Sequence, residues 1–333
     1  MLAVDQTHAT VRAAVALANQ APSVHNSQPW LWVLGDRTVH LHADPARALP
    51  ATDPEGRDLR ISCGAALHHL RVALLAAGLA TRVHRLPDRA DPGHLAAVEL
   101  RPGEPLPDDL ALAAAIERRR SDRRAMSTWP VPAGRLEALV AAAARQGGTL
   151  HVLHAAAVRR LAALAEHAAV EQALTPGIGT ETAEWTGRSR AAAEGVPSGN
   201  VPTLPDGSLP VRHFAGRDLP QNTLGRDETD GAEVAVLTTP GDSPLDHLVA
   251  GEALSAVLLQ ATRDGLAGDP VSQPLEVPAT RAGVRALVGG GEPQVVVRVG
   301  WPPVSAEPVP RTGRRPVEET IRLLDDPAAP AGR

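Results

Sequence analysis

Apolar residues along the first third of the chain alternate between two spacings, one typical of helices and one typical of strands. In residues 7–19, Val11, Val15 and Ala18 share one helical face. Shorter apolar runs, separated by turn residues, indicate strands. The predicted order is a helix, two strands, a long helix and two strands, at residues 7–19, 30–34, 38–42, 54–77, 81–86 and 95–100.

The rest of the chain has a similar mixture, after a Pro- and Gly-rich connector at residues 102–107. Ser243 and Pro244 form a good N-cap and first-turn pair for a long helix. We place a boundary in the connector, which gives halves at residues 1–106 and 107–333. In the second half, helices are predicted at 108–118, 133–146, 155–174 and 244–263, and strands at 149–153, 234–238 and 294–299, before an irregular basic tail.

Residues 175–230 stand apart from this pattern because they are rich in Gly, Pro, Ser and Asn. The segment is too long for an ordinary connector between two elements. We interpret it as either a lid over a binding site or a flexible insertion.

The two long helices indicate an internal repeat. Identical residues recur after a constant offset of 187 positions, and in each set a long helix ends in Gly-Leu-Ala. The alternative is two unrelated helices of an Ala-rich chain that share a common glycine stop; the constant offset favours duplication. The matching sets are Gly64, Ala66, Leu67, Gly78, Leu79 and Ala80, and Gly251, Ala253, Leu254, Gly265, Leu266 and Ala267.

Composition narrows the function classes. The chain has 333 residues, 43% of them apolar, with a net charge of -5, so it can bury a core and is a poor partner for nucleic acid. All 33 basic residues are Arg, which excludes a Lys Schiff base and a P-loop. The single cysteine, Cys63, fits a reducing compartment. We find neither a signal peptide nor a membrane-spanning segment, and therefore expect a cytoplasmic protein.

The strongest cationic feature is the run from Arg118 to Arg124, at the predicted exit of a helix. In an extended segment Arg119, Ser121 and Arg123 project to one side. Guanidinium groups and a hydroxyl there match a phosphate. The alternative is a solvated basic loop.

A second candidate is the polar loop from Ala21 to Trp30, between a helix and a strand. Its backbone N–H groups and short polar side chains can bind the carbonyls and ring nitrogens of a planar heterocycle. Pro22 and Pro29 stiffen the loop and so lower the entropy lost on binding. The alternative is a polar connector anchored by a buried Trp30.

These two segments resemble motifs of the nitroreductase superfamily. The loop is similar to its Ala-Pro-Ser…Asn-x-Gln-Pro-Trp segment, and residues 119–123 are similar to its Arg-x-Ser-x-Arg/Lys phosphate motif. In ordinary members the Arg motif comes first in the chain, whereas here it comes about a hundred residues later. An Arg motif that follows the polar loop is similar to the order of motifs in the Acg-like branch of the superfamily. Further segments resemble this branch, at residues 52–57, 61–67, 185–188, 195–197, 273–276 and 314–316.

The resemblance implies an α+β fold, with an antiparallel or mixed sheet covered by long helices. The family is typically a homodimer with FMN at the interface, so one chain with two halves would mimic that dimer and keep one site. We expect a monomer, with further dimerisation possible. The cofactor-binding residues carried over by position are Pro22, Ser23, Val24, His25, Asn26, Gln28, Arg119, Ser121, Arg123, Gln273, Pro274, Leu275, Arg314 and Arg315, with Glu276 closing the ring-lining segment.

The implied activity is NAD(P)H-dependent reduction of a small electrophile, such as a nitroaromatic or a quinone, by ping-pong hydride transfer through flavin N5. The flavin carries this chemistry, so no protein residue is assigned as catalytic. One alternative is an FMN storage protein whose lid, including Trp185 or Phe214, covers the flavin. Another is a structural protein without cofactor.

The remaining His and Cys residues do not indicate a metal site or a catalytic site. His40 and His42, and likewise His151 and His154, could suggest a metal, but neither pair has a carboxylate or Cys companion in the sequence. We therefore predict no metal site. Cys63 is expected to be a small buried helix residue rather than a nucleophile.

Overall fold

The computed structural model describes residues 4–203, 209, 212, 214–221, 230–304 and 306–324. The helices within these residues are α1 Val4–Ala18, α2 Arg57–Ala76, α3 Pro107–Arg118, α4 Ala133–Arg145, α5 Ala155–Leu174, α6 Ile178–Trp185, α7 Pro244–Arg263, α8 Gln273–Glu276, α9 Pro278–Val288 and α10 Val317–Thr320. The strands are β1 Trp30–Leu34, β2 Thr38–Ala43, β3 Leu79–Arg85, β4 His94–Pro102, β5 Thr149–Val152, β6 Thr186–Arg188, β7 Val196–Pro197, β8 Glu233–Thr239, β9 Ala267–Val271, β10 Glu292–Gly300 and β11 Ile321–Leu323.

The strands form two main sheets, and β11, from the end of the chain, joins the four strands of the first half. The first has the order β11-β1-β2-β4-β3, with β11 parallel to β1 and the other pairs antiparallel. The second has the order β5-β8-β10-β9 and is antiparallel throughout. Each sheet thus has four antiparallel strands arranged in the same way. When these four are counted in chain order, the fourth lies between the second and the third. A short β6-β7 pair stands apart.

Helices α2 and α7 pack against each other between the two sheets, and small residues let them approach closely. Both helices have 20 residues. A Cβ atom built on Gly64 would lie 2.1 Å from the Leu248 carbonyl oxygen, and one on Gly251 would lie 1.9 Å from the Ile61 carbonyl oxygen. Any larger residue at either position therefore forces the helices apart.

The contacts between these helices relate equivalent positions of the predicted repeat. Gly64 and Gly251 differ by 187 positions and lie against each other. His68 and Ser255 differ by the same 187 positions, and His68 Nδ1 lies 2.7 Å from Ser255 Oγ. In an interface with two-fold symmetry, residues near the axis contact their own counterparts. The α2–α7 pair has the geometry of such an interface within one chain.

The α+β prediction is confirmed, and the predicted helices and strands are present with small shifts at their ends. The resemblance implied one antiparallel or mixed sheet, whereas the structure has two main sheets, of which the first is mixed. The elements that were not predicted are β9, α9 and β11, together with the short helices α6, α8 and α10 and the short strands β6 and β7. β9 contains Gly268 and Pro270, residue types that are unfavourable within a strand. Proline is tolerated there because β9 is an edge strand. β11 comes from the tail that we expected to be irregular.

The segment 175–230 is described only in part. Its first portion forms α6, β6 and β7, whereas residues 204–208, 210, 211, 213 and 222–229 of the expected lid lie outside the described residues. No helix within the described residues is long and apolar enough to cross a membrane.

The α2–α7 contact yields a stability prediction. Gly64→Ala and Gly251→Ala should each lower the free energy of unfolding by roughly 1–3 kcal/mol or more, because the new methyl group meets backbone that cannot move aside alone. Urea unfolding measures this change. Gly134→Ala is the matched control, since a Cβ atom there meets nothing within 4 Å. An unchanged stability of both α2 and α7 variants would contradict the close packing.

Candidate functional site

The two segments singled out in the sequence line one cavity, although about a hundred residues separate them. The cavity, including its mouth, encloses about 1280 Å³ between protein atoms. One wall comes from the loop after α1, another from the segment after α3, and a third from residues 310–314. Ile61 of α2 and Leu254 of α7 also contribute, so both halves build the cavity.

The loop after α1 has an unusual backbone that other segments hold in place. His25, Asn26 and Gln28 all have left-handed φ angles, of 52°, 55° and 53°. Such a conformation costs about 1–3 kcal/mol for a non-glycine residue and is found where the surroundings enforce it. Ser23 Oγ accepts from the Gln28 N–H at 3.0 Å, and Asn26 Nδ2 donates to the Gly195 oxygen at 3.0 Å. The loop is thus rigid and preformed.

Two arginines in the cavity wall, the buried Arg119 and the partly buried Arg314, have no ion-pair partner among the described residues. Among the described residues, Nε and Nη1 of Arg119 and Nε of Arg314 have no hydrogen-bond partner. Burial, together with nearby Arg120 and Arg123, lowers the pKa of Arg119 to about 10. Burial, followed by Arg119 and Arg120, lowers the pKa of Arg314 to about 9. Buried charges of one sign are costly unless an anion pairs with them, so this part of the cavity is suited to a phosphate or another anion.

The neighbouring residues of the arginine run divide into two groups. Ser121 and Arg123 line the cavity, as the alternation predicted for an extended segment. Arg124 instead forms a buried ion pair with Asp122, 2.7 Å apart. Arg118 is exposed. Arg120 also lines the cavity, although the alternation did not assign it there.

Another part of the lining comes from the incompletely described segment. Arg212 forms an ion pair with Glu276 and places Nη1 3.1 Å from His25 Nε2. Phe214 contacts His25 edge to face at 5.9 Å and lies 5.0 Å from the Arg123 guanidinium carbon. Burial, then Arg212 and Arg123, lowers the pKa of His25 well below its usual value, so this imidazole is neutral. A neutral Nε2 can accept the hydrogen bond from Arg212.

Asp58, in the first turn of α2, also lines the cavity. Its Oδ1 lies 2.7 Å from Arg57 Nη2, but the two are not aligned as a hydrogen bond. A helix N-terminus favours a carboxylate by only about 0.3–1 kcal/mol when exposed. The loss of solvation on burial is the larger effect, and it raises the pKa of Asp58 to about 7. The nearby Arg57 guanidinium acts in the opposite direction and lowers this pKa.

Ten of the predicted site residues line the cavity and four do not. Gln28 supports the loop instead, since its Nε2 donates to the Ala193 oxygen at 2.8 Å and its Oε1 accepts from the Arg315 N–H at 2.9 Å. Arg315 pairs with Asp44 at 3.3 Å. Pro274 and Leu275 are buried beside the cavity, and Leu275 belongs to the core under the second sheet. The residues in the lining are Pro22, Ser23, Val24, His25, Asn26, Arg119, Ser121, Arg123, Gln273 and Arg314.

Sequence reasoning did not single out Asp58, Arg212 or Arg311 as lining residues. Asp58 could have been found as a charged residue in the first turn of a helix with apolar residues on every side. Arg212 lies in a segment without periodicity, and Arg311 in the tail expected to be irregular, so neither had a sequence signal that placed it at the cavity.

The histidine pairs lie outside the cavity lining. His42 stacks on His94 with ring centroids 4.4 Å apart, and His40 Nδ1 lies 3.0 Å from His94 Nε2. His154 caps α5, and His151 Nε2 lies 3.0 Å from Thr238 Oγ1. Within the described part of the chain, no group of three or more His, Cys, Asp or Glu residues is arranged to hold a metal.

Cys63 is buried in α2, where its Sγ lies 3.1 Å from the Pro29 oxygen. Burial raises the pKa of its thiol, so it is not poised as a nucleophile.

Comparison with known proteins gives several close relatives of nearly full length. A Mycobacterium tuberculosis protein whose name marks it as a candidate NAD(P)H nitroreductase is 44% identical over 320 residues, covering 95% of this chain and 92% of the relative. Another, which carries the name acg and the same description, is 37% identical over 322 residues, covering 94% and 95%. No protein-family model matches the chain.

Among solved structures, an FMN-dependent nitroreductase of Mycobacterium smegmatis in complex with NADPH is 21% identical. The match covers 63% of this chain and 98% of that chain, with a TM-score of 0.39. A nitroreductase with bound FMN from Desulfitobacterium hafniense is 14% identical, with 64% and 97% covered and a TM-score of 0.40. The relationship to known proteins therefore rests on the sequence relatives.

Proposed function

Because the chain belongs to the Acg-like branch of the nitroreductase superfamily, we propose that it binds one FMN between its two halves and reduces small electrophiles with NAD(P)H. The observation that supports this most directly is the shared cavity, where the preformed loop after α1 meets guanidinium groups for which the described part of the chain supplies no counter-charge. A planar heterocycle joined to a phosphate has the chemistry that these two walls need.

The residues present fit FMN. Arg119 and Arg314 would bind the phosphate, because their partnerless N–H groups are buried in the cavity wall. Ser121 and Arg123 add a hydroxyl and a further guanidinium to this part of the lining. Each charge-assisted hydrogen bond contributes about 1.5–3 kcal/mol.

The remaining lining would hold and orient the ring. Pro22, Ser23, Val24 and Asn26 present a rigid backbone, which lowers the entropy lost on binding. Apolar residues of both central helices, Ile61 and Leu254, also line the cavity. When bound, FMN would supply the redox chemistry, by accepting a hydride from NAD(P)H and passing electrons to an electrophile such as a nitroaromatic or a quinone.

We further propose that the chain is an internal duplication, with halves at residues 1–106 and 107–333. Support comes from the common strand scheme of the two sheets and from the offset of 187 positions between α2 and α7. The self-contacts Gly64–Gly251 and His68–Ser255 match a former two-fold axis. In such a chain the loop after α1 and the phosphate-binding arginines come from different halves, as they would from two subunits of a dimer.

The storage alternative depends on a lid that denies nicotinamide access to the flavin. Phe214 and Arg212 line the cavity, whereas Trp185 lies elsewhere, beside Glu181 and Glu184. The names of the relatives do not favour storage over reduction. Turnover distinguishes the two functions.

Replacement of Arg119 tests the phosphate assignment. Arg119→Ala should weaken FMN binding about 10- to 150-fold, which corresponds to the loss of one charge-assisted hydrogen bond. Riboflavin, which has the ring but no phosphate, should bind both proteins with nearly equal affinity. Quenching of flavin fluorescence measures both affinities.

Arg118→Ala is the matched control, because Arg118 belongs to the same run but is exposed. Its affinity for FMN should equal that of the unchanged protein. If Arg119→Ala lowered the affinities for FMN and riboflavin equally, Arg119 would have no specific role at the phosphate.

A reductive titration tests the activity. The FMN-loaded protein should lose its visible flavin absorbance when NADH or NADPH is added without oxygen, and should regain it when a benzoquinone or a nitroaromatic compound follows. Failure of both nicotinamides to reduce a fully loaded protein would contradict the reductase proposal and support storage.

A further inference from the structure

A buried carboxylate faces the cavity with one oxygen that no described donor reaches. The side chain of Asp58 is only 4% exposed and lines the cavity. Its Oδ2 has no hydrogen-bond partner among the described residues. An ionised carboxylate in such a place is costly, and protonation removes the cost. Asp58 can therefore hold a proton beside whatever occupies the cavity.

We propose that Asp58 donates the proton that the electrophile needs as it is reduced, an inference that rests on the proposed function. Quinone, NAD(P)H and one proton give quinol and NAD(P)⁺. The hydride brings both electrons and one hydrogen, and Asp58 supplies the remaining proton to the developing hydroxyl oxygen. A nitro compound, NAD(P)H and one proton likewise give a nitroso compound, NAD(P)⁺ and water. The Asp58 carboxylate then regains its proton from solvent through the cavity mouth.

The position of Arg57 leaves this proton available. Although Arg57 Nη2 lies near Asp58, Nη1 donates to the backbone oxygen of Gln294 at 2.8 Å and to its Oε1 at 3.1 Å. The guanidinium therefore binds β10 through Nη1, while its Nη2 lies 2.7 Å from Asp58 Oδ1 without an aligned hydrogen bond. An aligned, bidentate pair would instead hold Asp58 as a carboxylate.

The other charged groups around Asp58 act in both directions. Asp53 and Glu276 favour its protonated form, whereas Arg57 and Arg212 favour its charged form. Burial is the largest effect and raises the pKa of Asp58 to about 7. This value suits a group that must give and regain a proton near neutral pH.

His25 also lines the cavity, and it does not compete for this role. Its pKa lies well below the usual value, because of burial and the positive charge of Arg212 and Arg123. A neutral imidazole that accepts from Arg212 has no acidic proton to donate at neutral pH.

The first experiment measures how fast the reduced, FMN-loaded protein is oxidised by a benzoquinone between about pH 5 and about pH 9. The unchanged protein should react at a constant rate below about pH 7 and lose up to about tenfold per pH unit above it. Asp58→Asn should react about 100-fold more slowly at low pH and show no such fall. Asp58→Glu should restore the fall, because it returns an acid to the site.

The second experiment needs neither flavin nor activity. A group whose folded pKa is raised stabilises the protein below its unfolded pKa, and this stabilisation is lost as pH rises through the folded pKa. The melting temperature of Asp58→Asn, minus that of the unchanged protein, should therefore increase between about pH 4 and about pH 7. Glu181→Gln is the control, since this buried carboxylate accepts from the Ala51 and Thr52 N–H groups outside the cavity.

The possible results distinguish a failure of the Asp58 assignment from a failure of the proposed reductase function. If the unchanged protein is not reduced by nicotinamide at all, both fail. If it turns over and Asp58→Asn keeps the same pH dependence of oxidation, only the assignment of Asp58 fails. A melting-temperature difference that does not change with pH also overturns it. Should Asp58→Asn not fold, Asp58→Ser is the second neutral variant for both measurements.

Discussion

Contact between α2 and α7 at Gly64 and Gly251 is the constraint on which the arrangement of the molecule depends. Without side chains at these two positions, the helices approach until backbone meets backbone. That approach fixes how the two halves meet, and with it the distance between the loop after α1 and the wall that the second half contributes. Because interiors are close-packed, a shift of the helices would be transmitted to the cavity.

The pairing of buried charged side chains shows which parts of the structure are electrostatically balanced and which part suits a charged ligand. Glu252, with no exposed surface, is paired by both Arg71 and Arg85. Arg298 is equally buried and lies between Asp230 and Asp269. Arg119 and Arg314, by contrast, have no carboxylate within ion-pair distance among the described residues. The fold that compensates Glu252 and Arg298 thus leaves Arg119 and Arg314 for an anion from outside.

The sequence was sufficient for much of the fold and for the two segments that form the cavity. Long helices with glycine stops and Val-rich strands have strong periodicity, so their types were predictable. The loop after α1 and residues 119–123 were recognisable because their residue types suit a flavin and a phosphate. What the sequence could not indicate depends on tertiary contacts. β9 tolerates Pro270 only as an edge strand, β11 exists because β1 offers it an unpaired edge, and Asp58 acquires its proton affinity through burial.

The central claim is that one chain supplies both sides of a single flavin site, as two subunits would in a dimer. The most direct measurement is the number of FMN molecules per chain in the saturated protein, from the absorbance of flavin released by denaturation and the protein concentration. One FMN per chain is the predicted result. Two per chain would mean that both symmetry-related sites persist, and none at saturating FMN would mean that the cavity serves another ligand; either result would contradict this account.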